Sequence, residues 1–211
     1  MRGIIGCLII LILQSFFSFH QDLLAQNVLD NNPASIKWKQ IKTPGFKIIF
    51  PAGFEDDAKE VANTLESVRE PETKTMGNDL PRRIPIVLQN QNAISNGFVS
   101  LTPRRSEFYT LPPQNYNFIG SNKWLDLLAV HEYRHVVQFN KSRTGLTKLF
   151  YYLFGGGTQA GLAFMAAPRW FWEGDATLIE TAATKSGRGR IPEWDRVFRA
   201  NLLDGKRCNY R

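Results

Sequence analysis

The apolar residues of the chain follow several spacings, and each predicts an element. Phe46-Lys47-Ile48-Ile49-Phe50, closed by Pro51, is β-branched and aromatic and reads as a strand. From Phe54 onward Ala58, Val61, Ala62, Leu65 and Val68 recur at threes and fours, the spacing of an amphipathic helix. Residues 83–88 read as a second strand, which Pro85 assigns to an edge or an irregularity. Residues 97–101 and 106–110 form a hairpin about Thr102-Pro103-Arg104-Arg105. The pattern then turns helical. A helix is predicted over 122–140, with Ser121 as its N-cap and Gly145 beyond its end. Another starts at Pro168 and runs to about Thr184, where Ser186-Gly187 stop it. Strands followed by helices predict an α+β domain.

Two stretches stand outside this pattern. Arg2 precedes an apolar run over 4–19, and Leu23-Leu24-Ala25 ends on a small residue, the layout of a secretory signal peptide over 1–25. His20, Gln21 and Asp22 cut the run short, which favours cleavage after Ala25 over a membrane anchor. The expectation is an extracytoplasmic protein: secreted, periplasmic or on the cell surface. Residues 26–35 are polar with Asn-Asn-Pro and read as a linker, so the domain covers 36–211. The second stretch, 149–172, is strongly apolar, but Gly155-Gly156-Gly157-Thr158-Gln159 interrupts it. Two shorter buried or interfacial segments fit better than a span, and they suit contact with a membrane surface.

Composition and charge narrow the class. With 43% hydrophobic and 21% charged residues, the 211-residue chain is an ordinary globular protein. The net charge of +7 would suit a polyanion, yet no nucleic-acid-binding motif accompanies it, and no nucleic-acid partner is expected. The run Lys185, Arg188, Arg190, Arg196, Arg199, Lys206, Arg207, Arg211 is interleaved with acids and reads as a solvated surface. Past the leader one cysteine remains, Cys208, so no intramolecular disulfide is expected there.

The chemistry is concentrated in His131-Glu132-Tyr133-Arg134-His135. Both histidines beyond the leader lie here, four positions apart on the predicted helix, a spacing that stacks them on one face. Two imidazoles one turn apart supply two of the three protein ligands of an open zinc site. Glu132 sits beside such a metal, where its carboxylate serves as general base toward water. A third ligand is offered by Trp170-Phe171-Trp172-Glu173-Gly174-Asp175-Ala176 on the next helix. A carboxylate in that apolar company needs a cation, either a metal or an arginine such as Arg169 or Arg134. Gly174 would let the two helices approach closely.

These residues resemble the gluzincin metallopeptidases, the clan of thermolysin and the zinc aminopeptidases, in which HExxH is completed by a glutamate on a following helix. Trp170-Phe171-Trp172-Glu173-Gly174 matches the Trp-x-x-Glu-Gly pattern of that family, and the wider set looks like the peptidase MA-like domains of secreted bacterial proteins. The resemblance implies Zn²⁺ held by His131, His135 and Glu173, Glu132 as base, and a zincin-like fold. That fold has an N-terminal mixed β-sheet with a helix, then a helical half carrying both site helices. It also implies an edge strand that holds an extended peptide, for which the 97–110 hairpin is the candidate.

The interval from His135 to Glu173 is longer than in the best-known members. Thr177 stands where thermolysin-like enzymes carry an aspartate, and Glu180, on the same face as Glu173, is the better partner for a histidine. No residue is assigned to the oxyanion, since only Tyr210 offers a tyrosine after Glu173. The short tail points to a C-terminally incomplete domain of a longer protein. The expected function is a secreted zinc peptidase acting on a peptide or protein substrate. The alternative is a catalytically inactive zincin-like binding module of a cell-surface protein.

Overall fold

The computed structural model describes residues 32–206; the predicted signal peptide, Cys208 and Tyr210 lie outside the described residues. The chain divides between Ile36 and Lys37. Before that point only a short turn is described, and every element that follows lies in the unit that begins at Lys37.

Its first half is a five-stranded mixed sheet in the order β1-β2-β3-β5-β4, built from β1 (Trp38–Lys42), β2 (Phe46–Pro51), β3 (Ile84–Gln89), β4 (Gly97–Leu101) and β5 (Arg104–Tyr109). Helix α1 (Glu55–Thr75) links β2 to the parallel β3. Alternation in β2 turns Phe46, Ile48 and Phe50 to one face, where they meet Ala58, Val61, Ala62 and Leu65 of α1. Each of these large side chains, wholly withdrawn from water, stabilises the fold by about 1.5–3 kcal/mol.

The helical half comprises α2 (Tyr116–Ile119), α3 (Trp124–Ser142), α4 (Gly145–Phe154), α5 (Gly156–Ala166), α6 (Arg169–Ala183), a 3-10 turn (Arg188–Arg190) and α7 (Pro192–Leu203). Helix α3 joins α1 on the same sheet face, and its buried Trp124, Leu128, Val130 and Val137 complete the core. The Trp124 indole N–H donates to the Tyr109 carbonyl at 2.8 Å, which fixes the start of α3 against the end of β5. The α+β class and the order of elements agree with the sequence pattern.

Several details differ. β3 is an interior strand despite Pro85. The β3–β5 register begins only at Ile86↔Ser106, so the ladder needs no donor from Pro85 on that side. The hairpin is tighter than expected, with Leu101 opposite Arg104. Ser121 does not cap α3; Lys123 holds that position without a side-chain cap bond. Gly174 gives no close helix approach: a Cβ there would meet nothing within 4 Å, while Ala176, two residues on, is fully buried.

One core residue conflicts with its surroundings. Glu72 is 3% exposed, and neither carboxylate oxygen has a hydrogen-bond partner. Burial raises its carboxyl to about 9; Arg134 opposes that rise and Asp175 adds to it. Its proton is therefore bound in the folded chain and released on unfolding, so stability falls as pH rises from about 4.5 to about 9. Glu72→Met is expected to melt several degrees above the native chain at pH 8, with the gap closing toward pH 5; thermal denaturation across that range checks it.

Candidate metal centre

The centre is built by α3 and α6, which pack against each other. Helical spacing places the His131 and His135 rings edge to face, 4.9 Å between centroids. Glu173, on the first turns of α6, points at both: its Oε2 lies 3.5 Å from His131 Nε2 and 3.8 Å from His135 Nε2. Ligand atoms of the three residues all lie within 4.8 Å of one another, so the group could hold a metal ion. His131 is buried, His135 partly so, and Glu173 is exposed toward the cleft.

The Nδ1 atoms of both rings, on the side away from Glu173, have polar partners. His131 Nδ1 lies 3.0 Å from Glu180 Oε2, and Glu180 is fully buried. The Gln138 amide N–H₂ donates to the Trp172 carbonyl at 3.0 Å and to Asp175 at 2.7 Å, which leaves its oxygen, 2.8 Å away, to accept from His135 Nδ1. Both rings present Nε2 toward Glu173, with Nδ1 turned to Glu180 in His131 and to Gln138 in His135. Carboxylate or amide groups behind ligating histidines set ring orientation and basicity in this way.

Two ionic networks lock these partners. Glu180 receives three bonds from Arg188: backbone N–H at 2.9 Å, Nε at 2.7 Å and Nη2 at 2.6 Å. Arg188 Nη2 also lies 2.6 Å from His131 Nδ1. A guanidinium only donates, and its charge balances that of Glu180, which both Arg188 and the His131 ring face. A Cβ at Gly187 would fall 2.3 Å from the Thr181 backbone, so glycine is what lets this turn lie against α6. The second network is Arg134–Asp175, paired bidentately at 2.6 and 2.8 Å, with Arg134 also donating to the Glu72 carbonyl and the Thr75 hydroxyl of α1.

Electrostatics follow from this packing. Burial disfavours a charged His131, but hydrogen bonds to Glu173 and Glu180 outweigh it and raise the ring to about 9. His135 is lowered by burial and by the neighbouring His131. The hydrogen bond from His131 lowers Glu173 to about 2, against the effect of burial. Burial lifts Glu132 to about 7, with His131 pulling it down and Glu173 pushing it up. Its Oε2 is buried and has no hydrogen-bond partner.

All these groups open on one cleft of about 700 Å³. Its opposite wall is β4, an edge strand of the sheet, preceded by Ser95 and Asn96. A Cβ at Gly97 would stand 2.6 Å from Leu128 Cδ1 and 3.0 Å from Glu132 Oε1, so the glycine sets how closely strand and helix approach. Phe139, Phe164 and Trp172 form an aromatic floor, with centroids 5.1–5.7 Å apart.

The structure brings together all four residues singled out in the sequence, and Glu180 behind His131 as expected. It corrects one assignment: Arg188 belongs to the cleft rather than to a solvated surface, because the buried Glu180 carboxylate demands a cation. Of the cations weighed beside a metal as partner of Glu173, Arg134 pairs with Asp175 instead. Gln138, one turn beyond His135, was not singled out, although its i+3 spacing could have revealed it. Searches against protein-family models, curated proteins and solved structures return no match to this chain.

Proposed function

We propose that this chain is a secreted zinc-dependent peptidase of the gluzincin type. The observation that carries the reading is the convergence of His131 Nε2, His135 Nε2 and Glu173 on one point, with both Nδ1 atoms already engaged and an unpartnered Glu132 carboxylate beside them. Two nitrogens and one carboxylate oxygen fit the open three-ligand set of catalytic zinc. Bound there, Zn²⁺ would supply Lewis-acid polarisation of the scissile carbonyl and lower the pKa of water.

The chain's own residues would do the rest. Glu132 is suited to take a proton from water at near-neutral pH, since a base is most effective when its pKa lies near the working pH. It can then return that proton to the leaving amine. Strand β4, the last of the sheet among the described residues, is suited to hold an extended peptide by main-chain hydrogen bonds. The secretory part of the reading rests on the sequence of residues 1–25.

Gly97→Ala tests the link between strand and base. Crowding Glu132 by an added methyl is expected to lower kcat roughly tenfold to a hundredfold, with the folded state retained. Steady-state kinetics beside circular dichroism checks it. The reading as a whole is tested by peptide-library cleavage: activity should disappear with a chelator and return with zinc. A folded, zinc-loaded chain that cleaves nothing would instead assign the inactive zincin-like binding module.

A further inference from the structure

We propose that the helical pair α4–α5 is a docking surface for a lipid bilayer with anionic headgroups. A surface helix ordinarily turns its apolar stripe to the core, and α4 does the opposite: none of its residues is buried. Leu146, Leu149 and Leu153, at i, i+3 and i+7, form one stripe and are 67%, 53% and 63% exposed. Tyr152 flanks it at 71%, and Met165 of α5 and Trp170 of α6 are 85% and 62% exposed. Leucine stripes edged by tyrosine and tryptophan are the composition of helices that lie in the plane of a membrane interface.

Charge selects the occupant. From Lys141 to Trp172 the sequence contains four basic residues, Lys141, Arg143, Lys148 and Arg169, and no acidic one. Lys141, Lys148 and Arg169 are exposed, and Arg143 lies over the Tyr151 ring at 5.2 Å. The apolar face carries cations and no carboxylate along 141–172, and the next acid, Glu173, faces the cleft; such a face complements anionic headgroups over acyl chains. Among the described residues no helix is long and apolar enough to cross a membrane, so the contact is one of lying on the surface. Because α5 packs on β4 and α3, and Phe164 lines the cleft, docking would hold the cleft close to the bilayer surface.

The test is hydrogen exchange of the full chain, read segment by segment so that the lipid affinity of the apolar N-terminal run does not enter. Vesicles of phosphatidylcholine with about a third phosphatidylglycerol should slow exchange across 145–166 roughly tenfold, and pure phosphatidylcholine should not. Leu149→Glu with Leu153→Glu, at exposed positions, should abolish the slowing, and Lys148→Glu should reduce it. Three results would overturn the proposal: no slowing on adding the anionic vesicles, equal slowing by pure phosphatidylcholine, or slowing that persists in the double variant. Slowing that appears without lipid and grows with protein concentration would overturn it too, in favour of a second copy of the chain.

Discussion

Replacing Glu132 by Gln is expected to reduce peptide hydrolysis by roughly a thousandfold while leaving the metal content unchanged. The amide keeps the size of the carboxylate and so preserves the packing against β4, where Gly97 leaves room for little else. What it removes is the ability to accept a proton. Glu132 is not among the three converging donors, so the metal-holding group is untouched. The check is paired: kcat on a cleaved peptide, and metal-to-protein ratio on the same sample. Loss of both together would mean that Glu132 is structural.

Asp175→Ala is expected to damage both stability and metal affinity. Arg134 is 4% exposed at its side chain, and Asp175 neutralises it through two short bonds. Leaving a buried guanidinium without its carboxylate costs about 3–5 kcal/mol. Asp175 also helps keep Glu72 protonated, so its removal lets Glu72 ionise beside Arg134, which puts the loss at the lower end of that range. A fall in Tm of roughly 10 °C follows for a chain of this size. The second effect runs through Gln138, whose amide is steered by Asp175 and in turn orients His135. Metal affinity should fall about tenfold to a hundredfold, as it does when a group supporting a ligand is lost. Asp175→Asn, which still accepts from Gln138, should spare affinity more than stability. Calorimetry and competitive metal titration separate the two.

What could be read from the sequence was what is local. The stacking of His131 and His135 follows from helical periodicity, and Glu180 follows from being two turns beyond Glu173 on one helix. The buried face of α1 was equally plain, since Ala58, Val61, Leu65 and Val68 repeat at threes and fours and all lie in the core. What escaped was set by contacts distant in sequence. Arg134 meets Asp175 rather than Glu173 because two residues along a helix rotate a side chain by more than half a turn, a difference that composition does not record. Arg188 lay in a basic run, and only the burial of Glu180 explains why it turns inward. β1 was missed because four of its five residues are exposed and no alternation marks it. Helix α7 was hidden by the same basic run, although Trp194, Val197 and Phe198 recur at helical spacing.

The central claim is that α3 and α6 build a metal site, and metal content tests it most directly. Purified chain and a His135→Ala variant, prepared identically and shown to be folded, are analysed by elemental mass spectrometry. The expected result is about one zinc per native chain and a large loss in the variant. Folded native protein without bound metal, or the same metal content in both samples, would contradict it.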